Sequence, residues 1–166
     1  FELLPTDSPE ALPAGLPLST WALAKALADA QRAGVPKPAV VHFNNCFNMA
    51  LEHLHAIAPY AEVATGYASY NYFTCGSTYP EVFKRLRQKG PVPALTLARW
   101  FAEENHRPLA AKGNHPGVGA AVALSRVRRL ADAVDRLARA LTKALRDNRA
   151  ANFPLIQGAI VDALQY

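Results

Sequence analysis

The chain has 166 residues, 51% of them apolar and 19% charged, which fits one globular domain with a full core. No apolar run approaches the roughly 20 residues that cross a bilayer, and two cysteines are too few for a scaffold built on disulfides. The net charge of +5 leaves an acidic partner open.

The N-terminal segment, residues 1–17, is rich in proline and small side chains, which predicts an extended arm. Because the first residue is phenylalanine and not an initiator methionine, we expect a processed or excised chain, with this arm following a processing site. Leu18, Ser19 and Thr20 then open the first helix, with Ser19 as its N-cap, and Gly34 ends it.

A single cysteine lies where a predicted strand gives way to a predicted helix. Residues 39–43 form an apolar run typical of a buried strand, and residues 47–57 carry apolar side chains at helical spacing. Cys46 would lie between them, where the unpaired N–H groups of a first helical turn favour an ionised thiol. Open α/β sheets place their sites at this end of their strands. The competing interpretation is a small buried hydrophobic side chain.

The second strand is predicted at residues 61–65. It completes a βαβ unit, so the two strands should be parallel with a right-handed crossover. Residues 66–79 then form a long loop, dense in aromatic and small polar side chains, that can lie beside Cys46. A loop packed down by its own tyrosines is the alternative. Because two strands do not make a stable sheet, we expect partner strands from another chain or from a segment outside this one.

The second half of the chain is predicted to be helical. The expected helices span residues 80–88, 95–104, 122–146 and 153–164. Ser125 is the expected cap of the long third helix, and residues 107–120, rich in glycine and proline, form a surface connection. The fold class is therefore α/β, with an α/β catalytic half at residues 18–110 and a helical extension at residues 111–166.

Much of the positive charge lies between Arg126 and Lys143. A basic face of this kind can bind nucleic acid. Here the basic residues alternate with Leu, Val and Ala at helical spacing, two aspartates are interspersed, and no aromatic side chain is available for base stacking. We interpret the block as the solvated side of an amphipathic helix. A nucleic-acid-binding module is the competing hypothesis, and salt-dependent binding of DNA or RNA would support it.

The cysteines and histidines give no sign of a metal site. Cys46 and Cys75 leave a disulfide between them open from sequence alone. His53 and His55 have no cysteine or carboxylate at ligand spacing, so a zinc site is not predicted. His42 lies inside the first predicted strand.

Four short segments occur in an order that resembles the clostripain family of cysteine peptidases, relatives of caspases and gingipains. The family has a Leu-Ser/Thr helix start, matched at residues 18–20, and then a strand ending in Asp-Ala-Cys-Leu-Met-Gly with a Glu six residues after the Cys. Here residues 44–49 read Asn-Asn-Cys-Phe-Asn-Met, and Glu52 has that offset. Val-Ala-Thr-Gly-Tyr at 63–67 and Gly-Ser-Thr-Tyr at 76–79 stand where the family has Val-Ala-Ser-Glu-Glu and Gly-Trp-x-Tyr.

The resemblance implies half of a caspase-like (caspase–hemoglobinase) sandwich and a cysteine endopeptidase that hydrolyses protein substrates, with Cys46 as nucleophile. The family's base is a His in a His-Gly turn that would lie before the first residue of this chain. Clostripain itself is cut into two chains between its His and its Cys. We therefore expect a companion chain from the same precursor that carries the catalytic His, the His-Gly oxyanion donor and the remaining strands. His42 is a poor substitute because it lies inside a strand.

Cofactor and location are less constrained by the resemblance. Calcium dependence occurs in the family, but no calcium loop is evident in this sequence, so calcium rests on the resemblance alone. The family resemblance implies a bacterial enzyme and leaves a secreted and a cytoplasmic location both open.

The expected substrate-binding residues are Asn44, Thr65, Gly66 and Tyr67, by their match to the family's pattern. In the family, the Asp two residues before the Cys selects Arg or Lys, and the neutral Asn44 stands there in this chain. Gly66 and Tyr67 replace the acidic pair after the second strand. Without a buried carboxylate a basic side chain has no charge partner, so we predict a neutral or apolar P1 residue. The tyrosines predicted as pocket walls are Tyr67, Tyr70 and Tyr72.

Three alternatives remain open at the level of sequence. Cys75 is a second choice of nucleophile, in a loop without a helix N-terminus. A catalytically inactive caspase-like scaffold would serve as a binding or regulatory subunit, and the absence of a base from this chain is what it predicts. The nucleic-acid module on the basic helix is the third.

Overall fold

The computed structural model describes residues 19–71, 75–112 and 119–164. The predicted arm at residues 1–17 and the predicted pocket wall Tyr72 lie outside the described residues. The chain divides into two compact units, one up to Leu124 and one from Ser125 onward. The domain boundaries expected from sequence stay a prediction.

The first helix forms as the sequence predicts. Helix α1 spans Thr20–Arg32, and the Ser19 hydroxyl caps it by accepting a hydrogen bond from the Ala22 N–H at 3.1 Å. Gly34 follows the helix with φ at +89°, in the left-handed region that favours glycine. The boundary residues of α1 thus have the local chemistry that their positions require.

A three-stranded sheet forms the centre of the first unit. It consists of β1 (Val40–His42), β2 (Val63–Tyr67) and β3 (Gly119–Ala123), in the order β1-β2-β3. The β1 and β2 strands are parallel, as predicted, and helix α2 (Leu51–Ile57) lies in the connection between them. All five residues of β2 are buried because this strand lies between the other two. Among the described residues β1 pairs with β2 alone, so its other edge is open.

The third strand corrects two sequence predictions, the surface connection up to residue 120 and the helix from residue 122. Strand β3 reads Gly-Ala-Ala-Val-Ala and pairs antiparallel with β2, Ala121 opposite Thr65. With no side chain larger than valine, the segment shows neither strand nor helix periodicity. Helix α4 packs over this strand, and a Cβ on Gly119 would lie at an ordinary contact distance, 3.7 Å, from the Cβ of Ala102.

Two long helices follow the sheet strands β1 and β2. Helix α3 spans Cys75–Lys89 and helix α4 spans Ala94–Lys112, and both extend beyond the predicted limits. The predictions stopped at proline-bearing segments, but Pro80 and Pro108 lie inside these helices, where each gives up one backbone hydrogen bond. Helix α4 packs against all three strands, and α3 packs on α4.

The interface between α3 and α4 holds a buried apolar cluster of Val82, Trp100 and Phe101. The Arg85 guanidinium lies 4.7 Å from the centre of the Trp100 ring and donates to the Glu104 carboxylate at 3.0 Å. The Glu104 side chain is only 4% exposed, and its pairing with arginine provides the partner that a buried charge requires. These contacts pack α3 against α4, the helix that lies against the sheet.

The second unit contains two helices. A 3₁₀ turn at Leu124–Arg126 leads into α5 (Val127–Asp147), and α6 spans Arg149–Ala163. Ser125 lies in the 3₁₀ turn and does not cap α5, whereas the Asn148 side chain caps α6 by accepting from the Ala151 N–H. None of the described helices is long and apolar enough to cross a membrane.

The basic block is a helix face, as predicted. Its arginines and lysine are exposed along α5. Leu130, Val134 and Leu137, on the apolar side of the helix, are also exposed within the described residues. Nucleic-acid binding by this face stays a hypothesis.

Candidate active site

Cys46 lies in a turn and not at the first turn of a helix. Helix α2 begins only at Leu51, after Ala50 as its N-cap, so residues 46–49 form a separate turn. Phe47 has φ at +60°, a left-handed conformation that interrupts any helix there. The prediction that a helix N-terminus activates the thiol is therefore wrong, because the chain turns once more before the helix begins.

The turn that carries Cys46 is tied to the chain that follows β2. The Phe47 N–H donates to the Ser69 carbonyl at 3.0 Å, and the Met49 N–H donates to the Tyr67 carbonyl at 3.2 Å. The Phe47 ring contacts the Tyr70 ring edge to face, with centroids 4.9 Å apart. Because these N–H groups bond to the end of β2 and the residues after it, they do not begin a helix. The helix predicted from residue 47 therefore starts only at Leu51. Within the predicted loop, residues 68–71 do lie beside the cysteine, whereas residues 66–67 belong to β2 and residues 75–79 begin α3.

The Cys46 thiol is half-buried and makes both of its hydrogen bonds to one residue. The Asn71 backbone N–H donates to Sγ at 3.5 Å, and the thiol donates to the Asn71 side-chain oxygen at 3.9 Å. The Asn71 side-chain amide donates in turn to the Asn44 side-chain oxygen at 3.4 Å. Asn71, four residues after the end of β2, therefore contacts the sulfur through both its backbone and its side chain.

Sequence reasoning missed Asn71. It lies within the stretch interpreted as an aromatic loop, and it is 1% exposed. The available signal was its position a few residues after β2. Because β1 and β2 are parallel neighbours, the segments that follow the two strands lie close together. Cys46 is a free thiol, which contradicts the alternative of a disulfide with Cys75. Cys75 is the first residue of α3, so the prediction that it lies in a loop without a helix N-terminus is wrong. Its side chain lies outside the described residues.

The predicted substrate-binding residues occupy two environments. Asn44 is exposed and adjoins the cysteine turn. Thr65 and Tyr67 are each 1% exposed, on the strand in the middle of the sheet. The Thr65 hydroxyl donates to the Ala98 carbonyl of α4 at 3.2 Å and so joins the sheet to that helix. A substrate role for these residues stays a prediction, and Asn44 is the one among them with an exposed side chain.

Gly66 lies between the two segments that frame the cysteine. A Cβ added there would lie 2.9 Å from the Phe43 Cβ and 3.4 Å from the Met49 side chain. Phe43 precedes the cysteine turn and Met49 ends it, so the missing side chain lets β2 approach the turn closely. Tyr70, a predicted pocket wall, is 56% exposed.

His42 is held in an aromatic environment at the end of β1. Its ring stacks on Phe101 with centroids 4.5 Å apart and meets the Tyr79 ring edge to face at 5.7 Å. Neither ring nitrogen has a hydrogen-bond partner among the described residues. Burial lowers the pKa of His42 below its usual 6.5. The Thr65 backbone opposes this lowering only in part, and it makes no hydrogen bond to the His42 ring. A neutral, stacked histidine of this kind supports packing.

We expect stability to fall in mildly acidic solution because of His42. His42 binds a proton less readily in the folded state than in the unfolded state. Its contribution to the free energy of unfolding is therefore constant above pH 6.5 and declines as the pH falls from there toward the lower folded-state pKa. Urea unfolding between pH 7.5 and 5 measures the decline. Replacing His42 with Phe should flatten the curve in that window, whereas replacing the exposed His55 with Gln should leave it unchanged. An unaltered slope in His42→Phe would contradict this assignment.

The described residues hold no group of three or more His, Cys, Asp or Glu side chains that could bind a metal ion. A calcium site requires six to eight oxygen ligands. The donor set in this part of the chain does not fit calcium, and no step of the chemistry below uses a metal.

Two solved protein structures resemble this fold. One is a cysteine protease of B. fragilis, with a TM-score of 0.54 and 17% identity over 72% of this chain and 49% of that one. The other is a clostripain from Bacteroides thetaiotaomicron in complex with the peptide inhibitor BTN-VLTK-AOMK, with a TM-score of 0.51 and 20% identity over 73% of this chain and 49% of that one. No protein-family model and no curated protein matches. The chain spans about half the length of these solved chains, and its fold is that of clostripain-like cysteine proteases.

Proposed function

We propose that this chain supplies the nucleophile of a cysteine endopeptidase and that Cys46 is that nucleophile. The observation that carries the proposal is the position of a half-buried free thiol beyond the carboxyl ends of two adjacent parallel strands, in a clostripain-like fold. Sites of open α/β sheets lie at that edge. The clostripain of similar fold is in complex with a peptide inhibitor, which supports a peptide substrate for this chain as well.

The general base is proposed to lie on a companion chain. Both hydrogen-bond partners of the Cys46 sulfur are on Asn71, and neither is a histidine. His42 has its ring stacked on Phe101. The open edge of β1 exposes unpaired backbone groups that a further strand can pair with. A strand added there would end beside the cysteine strand, so a histidine at its carboxyl end is well placed to reach the thiol.

The proposed reaction follows from these parts. The histidine takes the proton of Cys46, and the sulfur attacks the substrate carbonyl carbon to form a C–S bond. The backbone N–H of Cys46 is the proposed donor to the developing oxyanion. The imidazolium then protonates the leaving amine as the C–N bond breaks. Water hydrolyses the resulting thioester, which releases the acid and restores the thiol.

Substrate selection is proposed to favour a neutral or apolar P1 side chain. Asn44 adjoins the cysteine turn with an exposed, uncharged side chain and offers no charge partner to Arg or Lys. A P1-scanning peptide library, incubated with the chain and its companion, tests both activity and selectivity. We expect cleavage after neutral residues to be fastest. Dominant cleavage after Arg or Lys would contradict the selectivity, and no cleavage of any peptide would contradict the peptidase.

A catalytically inactive binding subunit is the second candidate. It is favoured by the absence of a histidine from the hydrogen-bond partners of Cys46 among the described residues. The two candidates differ in what the companion does. If the protein is a peptidase, adding the companion produces peptide hydrolysis and speeds alkylation of Cys46 at neutral pH. For a binding subunit, peptides are bound without hydrolysis and the companion leaves the alkylation rate unchanged.

A further inference from the structure

We propose that Asn71 is a positioning residue for Cys46. Its side-chain amide accepts a hydrogen bond from the thiol and, after turning over, donates one to the thiolate. The inference rests on the proposed role of Cys46 as nucleophile. It starts from the short chain of contacts that joins the Cys46 sulfur, the Asn71 amide and the Asn44 amide.

The observed arrangement fits the protonated thiol. Cys46 Sγ lies 3.9 Å from the Asn71 side-chain oxygen, to which the thiol donates, while the Asn71 backbone N–H donates to the sulfur at 3.5 Å. The side-chain nitrogen of Asn71 is occupied with the Asn44 oxygen at 3.4 Å. Donors and acceptors therefore alternate along this series of hydrogen bonds, from the Cys46 sulfur to Asn44.

Loss of the thiol proton reverses what the sulfur needs. A thiolate only accepts hydrogen bonds, and an amide oxygen beside it is repulsive. Turning the Asn71 amide over presents its N–H₂ group to the sulfur and its oxygen to Asn44. The Asn44 amide, which is exposed, can turn in the same way and donate to that oxygen. The backbone N–H of Asn71 donates to the sulfur in both states.

Neither a carboxylate nor an aliphatic side chain can do this at position 71. A carboxylate accepts but does not donate, and an aliphatic side chain does neither. Asn71 is 1% exposed, so bulk water does not reach it to replace the lost contact. The position thus favours a side chain that carries one donor group and one acceptor group at equal reach from the sulfur.

The test measures how fast iodoacetamide alkylates Cys46 as a function of pH, with mass spectrometry assigning the label to Cys46 or Cys75. In Asn71→Asp we expect the midpoint of the alkylation profile to rise by about 1 pH unit, which is roughly tenfold slower labelling below the midpoint. In Asn44→Asp the new carboxylate fixes the Asn71 amide with its oxygen toward the sulfur, so the midpoint should also rise. Asn45→Asp is the matched control.

The control separates positioning from simple proximity of charge. Asn45 is exposed and adjoins the same cysteine, but the structure gives it no hydrogen bond to Asn71 or to the sulfur. We expect its carboxylate to shift the midpoint by less than a third of the Asn44→Asp shift. In the double variant Asn44→Asp, Asn71→Ala, the effect of the Asp should disappear, since the amide that transmits it is gone.

Two outcomes overturn the inference: equal shifts in Asn44→Asp and Asn45→Asp, or an unchanged midpoint in Asn71→Asp. Because Asn44 and Asn45 are exposed, their variants give an answer even if a change at the buried position 71 prevents folding. Alkylation does not require peptide hydrolysis. A failure of the peptidase proposal, seen as hydrolysis that survives without Cys46, is therefore distinct from a failure of the role assigned to Asn71.

Discussion

Replacing Cys46 with Ala is expected to lower peptide hydrolysis, assayed in the presence of the companion chain, by at least about 1,000-fold. The reason is that alanine offers no lone pair to attack the carbonyl, while the neighbouring groups supply only binding and oxyanion contacts. Initial rates at saturating peptide measure the loss. Because the sulfur makes only long contacts to Asn71, the free energy of unfolding should change by less than about 1 kcal/mol.

The second cysteine provides the matched comparison. Cys75→Ala removes the alternative nucleophile, and we expect it to retain most of the activity, because Cys46 is the thiol bonded into the turn beyond β1. If Cys75→Ala abolished hydrolysis while Cys46→Ala kept it, the roles of the two thiols would have to be exchanged.

Gly66→Ala is expected to destabilise the first unit by about 1–3 kcal/mol, the usual cost of overpacking a filled core. The added Cβ would lie 2.9 Å from the Phe43 Cβ and 3.1 Å from the Phe43 carbonyl oxygen, distances that backbone movement alone can relieve. Urea unfolding followed by circular dichroism measures the change. Gly158→Ala in α6 is the control, since no atom lies within 4 Å of its Cβ position and alanine favours helix there by up to about 1 kcal/mol.

The same substitution should also disturb the candidate active site. Phe43 and Met49 bracket the cysteine turn, and both contact the space that a Gly66 Cβ would fill. We therefore expect slower alkylation of Cys46 in Gly66→Ala than in Gly158→Ala at equal folded fraction. Equal stabilities of the two variants would show that β2 does not press against this turn.

The sequence predicted those elements whose signals are local. The Ser19 cap and the glycine that follows α1 form where capping chemistry placed them, and β1 and β2 are parallel as predicted, although β2 spans Val63–Tyr67 and not residues 61–65. The resemblance to clostripain is confirmed at the level of fold by the two solved structures. The cap and the glycine depend on residues within a few positions of one another, and the parallel pairing follows from the βαβ order of the elements.

Strand β3 could not be predicted in this way. Its five residues, Gly119–Ala123, are small and carry no period, and they form a strand because β2 offers a free edge more than 50 residues earlier in sequence. The left-handed conformation of Phe47 is similar. Its N–H and that of Met49 donate to carbonyls at the end of β2 and just after it, a tertiary effect that overrides the helical spacing of their own segment.

The candidate site was predicted only in its centre. Cys46 stood out because it lies between a predicted strand and a predicted helix and matches the Cys of the clostripain pattern, and its role remains a proposal. Asn71 had no comparable signal, since its contact with the sulfur spans 25 residues of sequence and depends on β1 and β2 being neighbours. Thr65 and Tyr67 were chosen by their match to a pattern, and the burial of both follows from the central position of β2.

The most direct test of Cys46 as nucleophile is the intact mass, followed by peptide mapping, of the chain and its companion after reaction with an irreversible peptide-based inhibitor of cysteine peptidases. The account predicts one inhibitor molecule per chain, attached to the sulfur of Cys46, with hydrolysis lost in proportion. Attachment at Cys75, or hydrolysis that continues while Cys46 is fully modified, would contradict it.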